Sequence, residues 1–325
     1  MRTALLSLAV VSLCLVSSPV VAQQAPLEVQ EKSVIRFEIN MDRIINSELG
    51  KNLDLATKMQ EAPGIDTEEM DPSSITKVYG SLSLPDNMEA FQSMTPGSEL
   101  PMELFSRIEF SESATLTGVM EKMAEKAEEV SLGGKTYLKP TDGDSPPGML
   151  AQKIDDKTLE MGTEKYVTRS DREVNTDGLN KAWGMAPDHA IRIAVDVDGM
   201  EALKEELIDF VAQVQPQAIA YVELLNNVSN LRITVDLDSD ELLTICATGK
   251  DEELAEEFAD GLDSLLMFGK MGLNPANAPT DEAAAVMKEI SDAMEAKLDG
   301  KEVSIRIPRP EGFNAMVEGM VPPGF

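Results

Sequence analysis

The sequence predicts an α+β fold of two ferredoxin-like units, each with the order βαββαβ, a mainly antiparallel sheet and helices packed on one face. Stretches in which apolar and polar residues alternate predict strands, and stretches with an apolar residue at every third or fourth position predict amphipathic helices. These elements follow one another in the same order twice along the 325-residue chain. The repetition indicates an internal duplication.

The first strand of each copy carries the clearest repeat. The stretches SVIRFEIN at 33–40 and HAIRIAVDVD at 189–198 both alternate between apolar and polar residues. They can be aligned at one constant offset, which is expected of two copies of one segment. The identical positions are Ile35 and Ile191, Arg36 and Arg192, and Asp42 and Asp198.

The remaining elements of the two copies also correspond. In each copy we expect a helix, two strands, a second helix, and a last strand that opens with Gly-Lys. These elements are predicted at 42–60, 75–84, 102–111, 116–127 and 134–140 in the first copy, and at 199–214, 231–238, 241–249, 254–265 and 300–308 in the second. The first copy has a longer loop at 85–101, and the second has an additional helix at 280–298.

The chain is expected to divide into four segments. A loop rich in Pro and Gly, PTDGDSPPG, separates the two copies. The segments are a signal peptide at 1–22, a first α+β repeat at 23–140, a connecting hairpin with short helices at 141–188, and a second α+β repeat at 189–325.

The signal peptide is predicted from the opening MRTALLSLAVVSLCLVSSPVVAQQ. Arg2 gives a short positive region, an apolar run follows at 4–16, and small residues end at Ala22. The run is shorter than the roughly 20 residues that a membrane-spanning helix needs. We therefore expect an exported, periplasmic or extracellular protein that does not span a membrane.

The excess of acidic residues weighs against nucleic-acid binding. Lys and Arg total 28 against 58 Asp and Glu, so the formal net charge is −30, and loss of a leader holding Arg2 and no acid would make it −31. Such a surface repels nucleic acids, whose binding needs clusters of Lys and Arg.

Cysteine and histidine are almost absent. Outside the predicted leader, Cys246 is the only cysteine, so an intramolecular disulfide is impossible. His189 is the only histidine, which weighs against zinc hydrolases, since their sites use two or three histidine ligands.

The stretch LRITVDLDSDELLTICATG at 231–249 contains the candidate metal ligands, and a weak Ca²⁺ site is one interpretation of it. The candidate ligands are Asp236, Asp238, Asp240 and Glu241. An EF-hand loop starting at Asp236 would need Gly at position 6 and Glu at position 12, where the chain has Glu241 and Ala247. This is therefore not an EF-hand.

A hairpin with cross-strand ion pairs is the other interpretation of this stretch. Ser239–Asp240 would form a two-residue turn, and the aspartates would point outward beside arginines. The arginines expected on that outward face are Arg192, Arg232 and Arg306. Asp196 and Asp198 end the first strand of the second copy. They are predicted to lie at the opposite end of the sheet from the turn.

The layout of the chain resembles that of uncharacterised secreted α+β proteins of planctomycete-type bacteria. The resemblance rests on the repeated strand–helix–strand–strand–helix order and on the intervening segment LEMGTEKYVTRS. The resemblance implies that the protein is exported and that it has this repeated α+β architecture. It implies no activity and identifies no site residue.

The sequence favours a non-enzymatic exported protein of the cell envelope that binds an unknown protein or envelope component or has a structural role. No G-x-S-x-G, P-loop, G-x-G-x-x-G or C-x-x-C motif is present. A partner surface is expected on a sheet face or on the 85–101 loop, with Met88, Phe91 and Met94. The alternatives are an exported hydrolase that uses carboxylates and a low-affinity calcium-dependent module.

Overall fold

The structure of the protein, a computed structural model, describes most of the chain. The described residues are 32–57, 72–85, 102–141, 148–168, 175–215, 218–273, 275–278 and 280–320. The predicted signal peptide at 1–22 lies outside them. So does most of the predicted 85–101 loop, including Met88, Phe91 and Met94.

The chain forms two compact units, whose boundaries differ from those of the sequence repeats. The described residues of the first unit lie between 56 and 172, and those of the second are 32–55 and the residues after 173. The strand and helices that open the first predicted repeat therefore pack in the second unit. The division into repeats stays a prediction about the sequence.

The described residues form twelve strands and ten α-helices, which include most of the predicted elements. The strands are β1 (Ile35–Asn40), β2 (Ile75–Ser83), β3 (Glu103–Phe110), β4 (Ala127–Leu132), β5 (Lys135–Pro140), β6 (Met149–Lys153), β7 (Thr158–Thr163), β8 (Ile191–Asp196), β9 (Val228–Val235), β10 (Glu241–Gly249), β11 (Lys297–Asp299) and β12 (Glu302–Pro308). The helices are α1 (Met41–Asn46), α2 (Glu48–Asn52), α3 (Ser113–Glu125), α4 (Glu164–Val167), α5 (Asp177–Met185), α6 (Glu201–Val214), α7 (Ile219–Glu223), α8 (Glu252–Gly272), α9 (Asp281–Ala293) and α10 (Phe313–Met320).

Polar side chains fix where several helices begin. Each accepts a hydrogen bond from a free backbone N–H of the first helical turn, which would otherwise lack a partner. These caps are Asn40 for α1, Ser47 for α2, Thr176 for α5, Asp251 for α8 and Thr280 for α9.

In the first unit, six strands pair in the order β2–β3–β7–β6–β5–β4, and every pair with a described register is antiparallel. The predicted connecting hairpin, β6–β7, is an integral part of this sheet. It inserts between β3 and β5. The predicted helix ends at 127 and the next predicted strand begins at 134, so the predictions do not include β4.

In the second unit, six strands pair in the order β11–β12–β10–β9–β8–β1, with every neighbouring pair antiparallel. Ile191 at the start of β8 pairs with Val235 at the end of β9, and Asp196 pairs with Asn230. Asp196 therefore lies at the opposite end of this sheet from the β9–β10 turn, as predicted.

The α+β class and the antiparallel sheets are confirmed, whereas the ferredoxin-like arrangement is not. In a ferredoxin-like unit the first strand pairs with the third. Here β8, the first strand of the second repeat, has β9 on one side and β1 on the other, both antiparallel. No position beside it is left for a parallel partner.

Helices cover both faces of the second unit's sheet, which corrects the expectation of one covered face. Phe258 of α8 packs in a cluster that Val195 of β8 also contacts. On the other face, Leu179 of α5 packs against Ala194. Since consecutive residues of a strand point to opposite faces, the two helices lie on opposite sides of β8.

The β1–β8 register matches the offset that aligns the two sequence repeats. Ile35 pairs with Val195, and Phe37 pairs with Ile193, its own equivalent in the second repeat. Two copies of one strand, paired antiparallel about a local twofold axis, would give this register.

Asp196 is a buried carboxylate held under the start of α5. It is 4% exposed, and its Oδ1 accepts a hydrogen bond from the Gly199 N–H at 3.2 Å. Gly178 of α5 approaches so closely that a Cβ at this position would lie 2.5 Å from that Oδ1. Any side chain at position 178 would therefore displace a buried, hydrogen-bonded group.

The free thiol of Cys246 lies on β10, directly opposite Arg232 of β9. It is 8% exposed. Burial raises the pKa of the Cys246 thiol, and the nearby positive charge of Arg232 opposes that rise only in part. The thiol is therefore protonated and shielded at neutral pH.

We expect Gly178→Ala to lower the free energy of unfolding by about 1–3 kcal/mol, since the added methyl group overpacks the Asp196 site. Gly184→Ala, in the same helix with no atom within 4 Å of the added methyl, should be neutral or stabilising by up to about 1 kcal/mol. Urea unfolding of both variants measures the difference. Equal effects would contradict the close packing of α5 on Asp196.

In a chain without residues 1–22, Cys246 is the only thiol, and it should react with a disulfide reagent at least about tenfold more slowly in the native than in the urea-unfolded protein. Because its pKa is raised, the native rate should continue to increase with pH beyond the pH at which the rate of the unfolded protein levels off. The rates can be followed by absorbance. Equal rates in the two states would show that the thiol is accessible.

Candidate functional site

The acidic stretch forms an open five-residue connection, and the predicted two-residue turn is therefore wrong. The strands end at Val235 and resume at Glu241, and the Asp236 N–H donates to the Leu242 carbonyl at 3.0 Å. The Asp238 N–H donates to Asp236 Oδ1 at 3.0 Å, which is an Asx turn. This local hydrogen bond replaces the tight turn that the alternation suggested.

The four candidate metal ligands have separate partners. Asp236 Oδ2 lies 2.9 Å from Nδ1 of His189. Asp238 Oδ1 accepts a hydrogen bond from the Glu48 N–H at 3.0 Å, and Glu241 forms a 3.2 Å ion pair with Arg306.

Asp240 forms a backbone hydrogen bond, in which its carbonyl accepts the Arg309 N–H at 2.8 Å. In the described residues, no three His, Cys, Asp or Glu side chains are grouped so that they could hold a metal ion. The weak Ca²⁺ site stays a prediction that the geometry does not support.

The predicted cross-strand ion pairs form with glutamates. Arg306 pairs with Glu241, and Arg232 pairs with Glu302. The face that carries these arginines was expected to be solvent-exposed, yet Arg232 is 7% exposed. The expectation is wrong for Arg232, which is buried in its ion pair with Glu302, whereas Arg306 is exposed.

Arg192 has a different environment, which the sequence analysis did not identify. Its guanidinium stacks on Trp183 of α5 at 3.6 Å from the ring centre, and Arg36 lies 4.3 Å from the same ring. The Arg192 side chain also donates to the Trp183 carbonyl at 3.0 Å. These cation–π contacts fasten α5 to β1 and β8.

A cavity of about 520 Å³ opens beside the β9–β10 connection, within the second unit. It is lined by Glu48, Asn52, Asp238, Ser239, Asp240, Arg309, Pro310, Glu311, Gly312, Phe313, Asn314 and Ala315. Arg309 forms a 2.7 Å ion pair with Glu48 across it. The Oδ1 atom of Asn314 is buried with no hydrogen-bond partner in the described part of the chain.

The cavity lacks the enclosure that carboxylate catalysis requires. A pair of carboxylates acts as acid and base when burial gives one of them a different affinity for protons from the other. All four carboxylate residues lining the cavity are exposed. The carboxylates lining the cavity therefore do not show the difference in burial on which an acid–base pair depends.

A second candidate surface lies at the C-terminal end of α8. Met267, Phe268 and Met271 are 69%, 62% and 74% exposed. Tyr221 of α7 contacts the Phe268 ring edge-on, with 6.4 Å between ring centres. We call the three exposed residues the apolar end of α8.

The helix predicted at 254–265 stops before the apolar end, which begins at residue 267. Its signal is the run LLMFGKMGL at 265–273, in which apolar residues occupy every side of the helix. A helix that packs on one side cannot bury such a run completely.

No described helix combines the length and apolar character required to cross a bilayer.

Comparison with known proteins adds no functional information. The chain matches no protein-family model and no curated protein sequence. Similar solved structures include crystal form IV of TP0453 (TM-score 0.41, 10% identity, covering 88% of this chain and 92% of that chain) and crystal form III (0.40, 9%, 89% and 95%). Crystal form I gives 0.40, 9%, 91% and 99%. Similarity this low supports no transfer of function.

If Asp238 serves to cap the start of α2, Asp238→Ala should lower the free energy of unfolding by about 1 kcal/mol. Asp238→Asn keeps the Oδ1 acceptor and should cost much less. Thermal melts in millimolar CaCl₂ and in NaCl of equal ionic strength should shift both variants and the parent protein equally. A saturable Ca²⁺ effect that either substitution abolishes would instead establish a metal site.

Proposed function

We propose that this chain is an exported, non-enzymatic binding protein of the cell envelope, which holds a protein partner on the apolar end of α8. The observation that carries the proposal is the exposure of Met267, Phe268 and Met271 side by side on one helix. Export is proposed from the leader sequence. An internal duplication, supported by the β1–β8 register, is part of the same proposal.

Exposed apolar residues are common when they are scattered, but adjacent ones form a patch with a functional meaning. Residues 267 and 271 are one helical turn apart, so their side chains are neighbours on the helix surface. Burying a large apolar side chain contributes about 1.5–3 kcal/mol. Three such side chains can therefore anchor a partner.

The cavity at the β9–β10 connection supports the competing functions less well. The hydrolase would need an enclosed carboxylate pair, and the cavity carboxylates belong to exposed residues. The calcium-dependent module would need converging ligands, whereas Asp236 and Glu241 are paired with His189 and Arg306.

Photo-crosslinking in the producing cells tests the proposed function. A photoreactive amino acid at Met271 should give one discrete adduct, which mass spectrometry identifies as an exported or envelope protein. The matched control is Met185 on α5, which is 39% exposed and lies outside the apolar end. Absence of an adduct at 271, or the same adducts at both positions, would contradict the proposal.

A further inference from the structure

The solvent face of α8 has two chemically different parts. Its first two-thirds carry exposed acids, and its last third is the apolar end. The exposed acids are Glu252, Glu253, Glu256, Glu257, Asp260 and Asp263. At 1.5 Å per residue, Glu253 and Met271 are about 27 Å apart along the helix axis.

Among the residues that the structure describes, the packing of α8 on the sheet does not cover this face. The opposite side of the helix is buried through Ala255, Phe258 and Ala259, which cluster with Val228 and Val303 of the sheet. Folding of the unit therefore does not require acids or large apolar residues on the solvent side.

A favourable interaction with the helix dipole accounts only for the acids of the first turn. Its stabilising effect on negative charge is confined to the first turn, which holds Glu252 and Glu253. Glu256 and Asp260 lie beyond that turn and are four residues apart, a spacing at which like charges destabilise a helix. The only cation of α8 is Lys270, in its last turn.

Two of the six acids are used within the chain, Glu252 lies at the very start of the helix, and three more are left over. Glu257 accepts a hydrogen bond from Asn227, and Asp263 accepts the Ala296 N–H. Among the described residues, no ion pair joins a Lys or Arg to Glu253, Glu256 or Asp260. This face therefore presents uncompensated negative charge beside exposed apolar side chains.

Three kinds of occupant can be compared on charge. An anionic membrane would be repelled by the acids. A second copy of α8 would place acids on acids if the two helices ran parallel, and acids on apolar side chains if they ran antiparallel. A segment with Lys or Arg at one end and apolar residues at the other matches both parts of the face.

We infer that the partner docks along the solvent face of α8 through a basic, amphipathic segment about five helical turns long, whose cations face Glu253, Glu256 and Asp260 and whose apolar residues cover Met267, Phe268 and Met271. The inference rests on the proposed function, since it specifies the partner of the same surface. The charges set the direction of the segment along α8, and the apolar contacts supply most of the affinity.

A labelled synthetic peptide tests the inference with the full-length protein. The probe is an 18-residue amphipathic helix with Lys in one half and Leu in the other, and its twin has Glu in place of Lys. Fluorescence anisotropy should show binding of the Lys peptide that weakens with salt. The Glu twin should bind at least about tenfold more weakly.

Three double variants locate the binding. Glu256→Gln with Asp260→Asn, and Met267→Gln with Met271→Gln, should each weaken the Lys peptide by at least about fivefold. Glu128→Gln with Glu129→Gln, which removes two exposed acids of β4, should change affinity by less than about twofold.

Other outcomes would overturn the inference. Equal losses in all charge variants would show attraction by net charge alone. Binding to phosphatidylcholine vesicles, or self-association in sedimentation, that requires Met267 and Met271 would assign the face to a membrane or to a second copy. If the peptide fails while position 271 still crosslinks to an envelope protein, only the partner class is wrong. If position 271 gives no adduct, the proposed function itself fails.

Discussion

The antiparallel pairing of β8 with β1 on one side and β9 on the other determines the layout of the second unit. The register places Ile191 opposite both Ile39 and Val235. One end of the sheet therefore holds the end of β1, the start of β8 and the end of β9. His189, just before β8, reaches Asp236 just after β9 for this reason.

The cavity lies at this same end of the sheet. β12 also ends there, since Pro308 pairs with Glu241. The chain leaving β1 forms α2, whose Glu48 bonds both Asp238 and Arg309. The candidate metal ligands at 236–241 thus lie in the connection between β9 and β10. Their hydrogen bonds and ion pairs stabilise this end of the sheet.

Much of the secondary structure could be predicted from the sequence because alternation and helical periodicity report directly on burial. The alternation predicts β8 and β9, but it cannot specify which strands become neighbours, because pairing depends on residues far apart in the chain. It also misplaced Arg232, whose buried environment depends on Glu302, 70 positions away. The apolar end of α8 was missed because the predicted helix stopped at the last residue that fitted a one-sided pattern.

A labelling experiment tests directly whether the solvent face of α8 is covered in the cell envelope. In Met271→Cys, labelling by a small maleimide would be compared between purified protein and intact producing cells, with Met185→Cys as the reference. We expect rapid labelling at 271 in the purified protein and strong protection in cells, with position 185 labelled equally in both. Equal labelling of position 271 in both settings would contradict a partner on this surface.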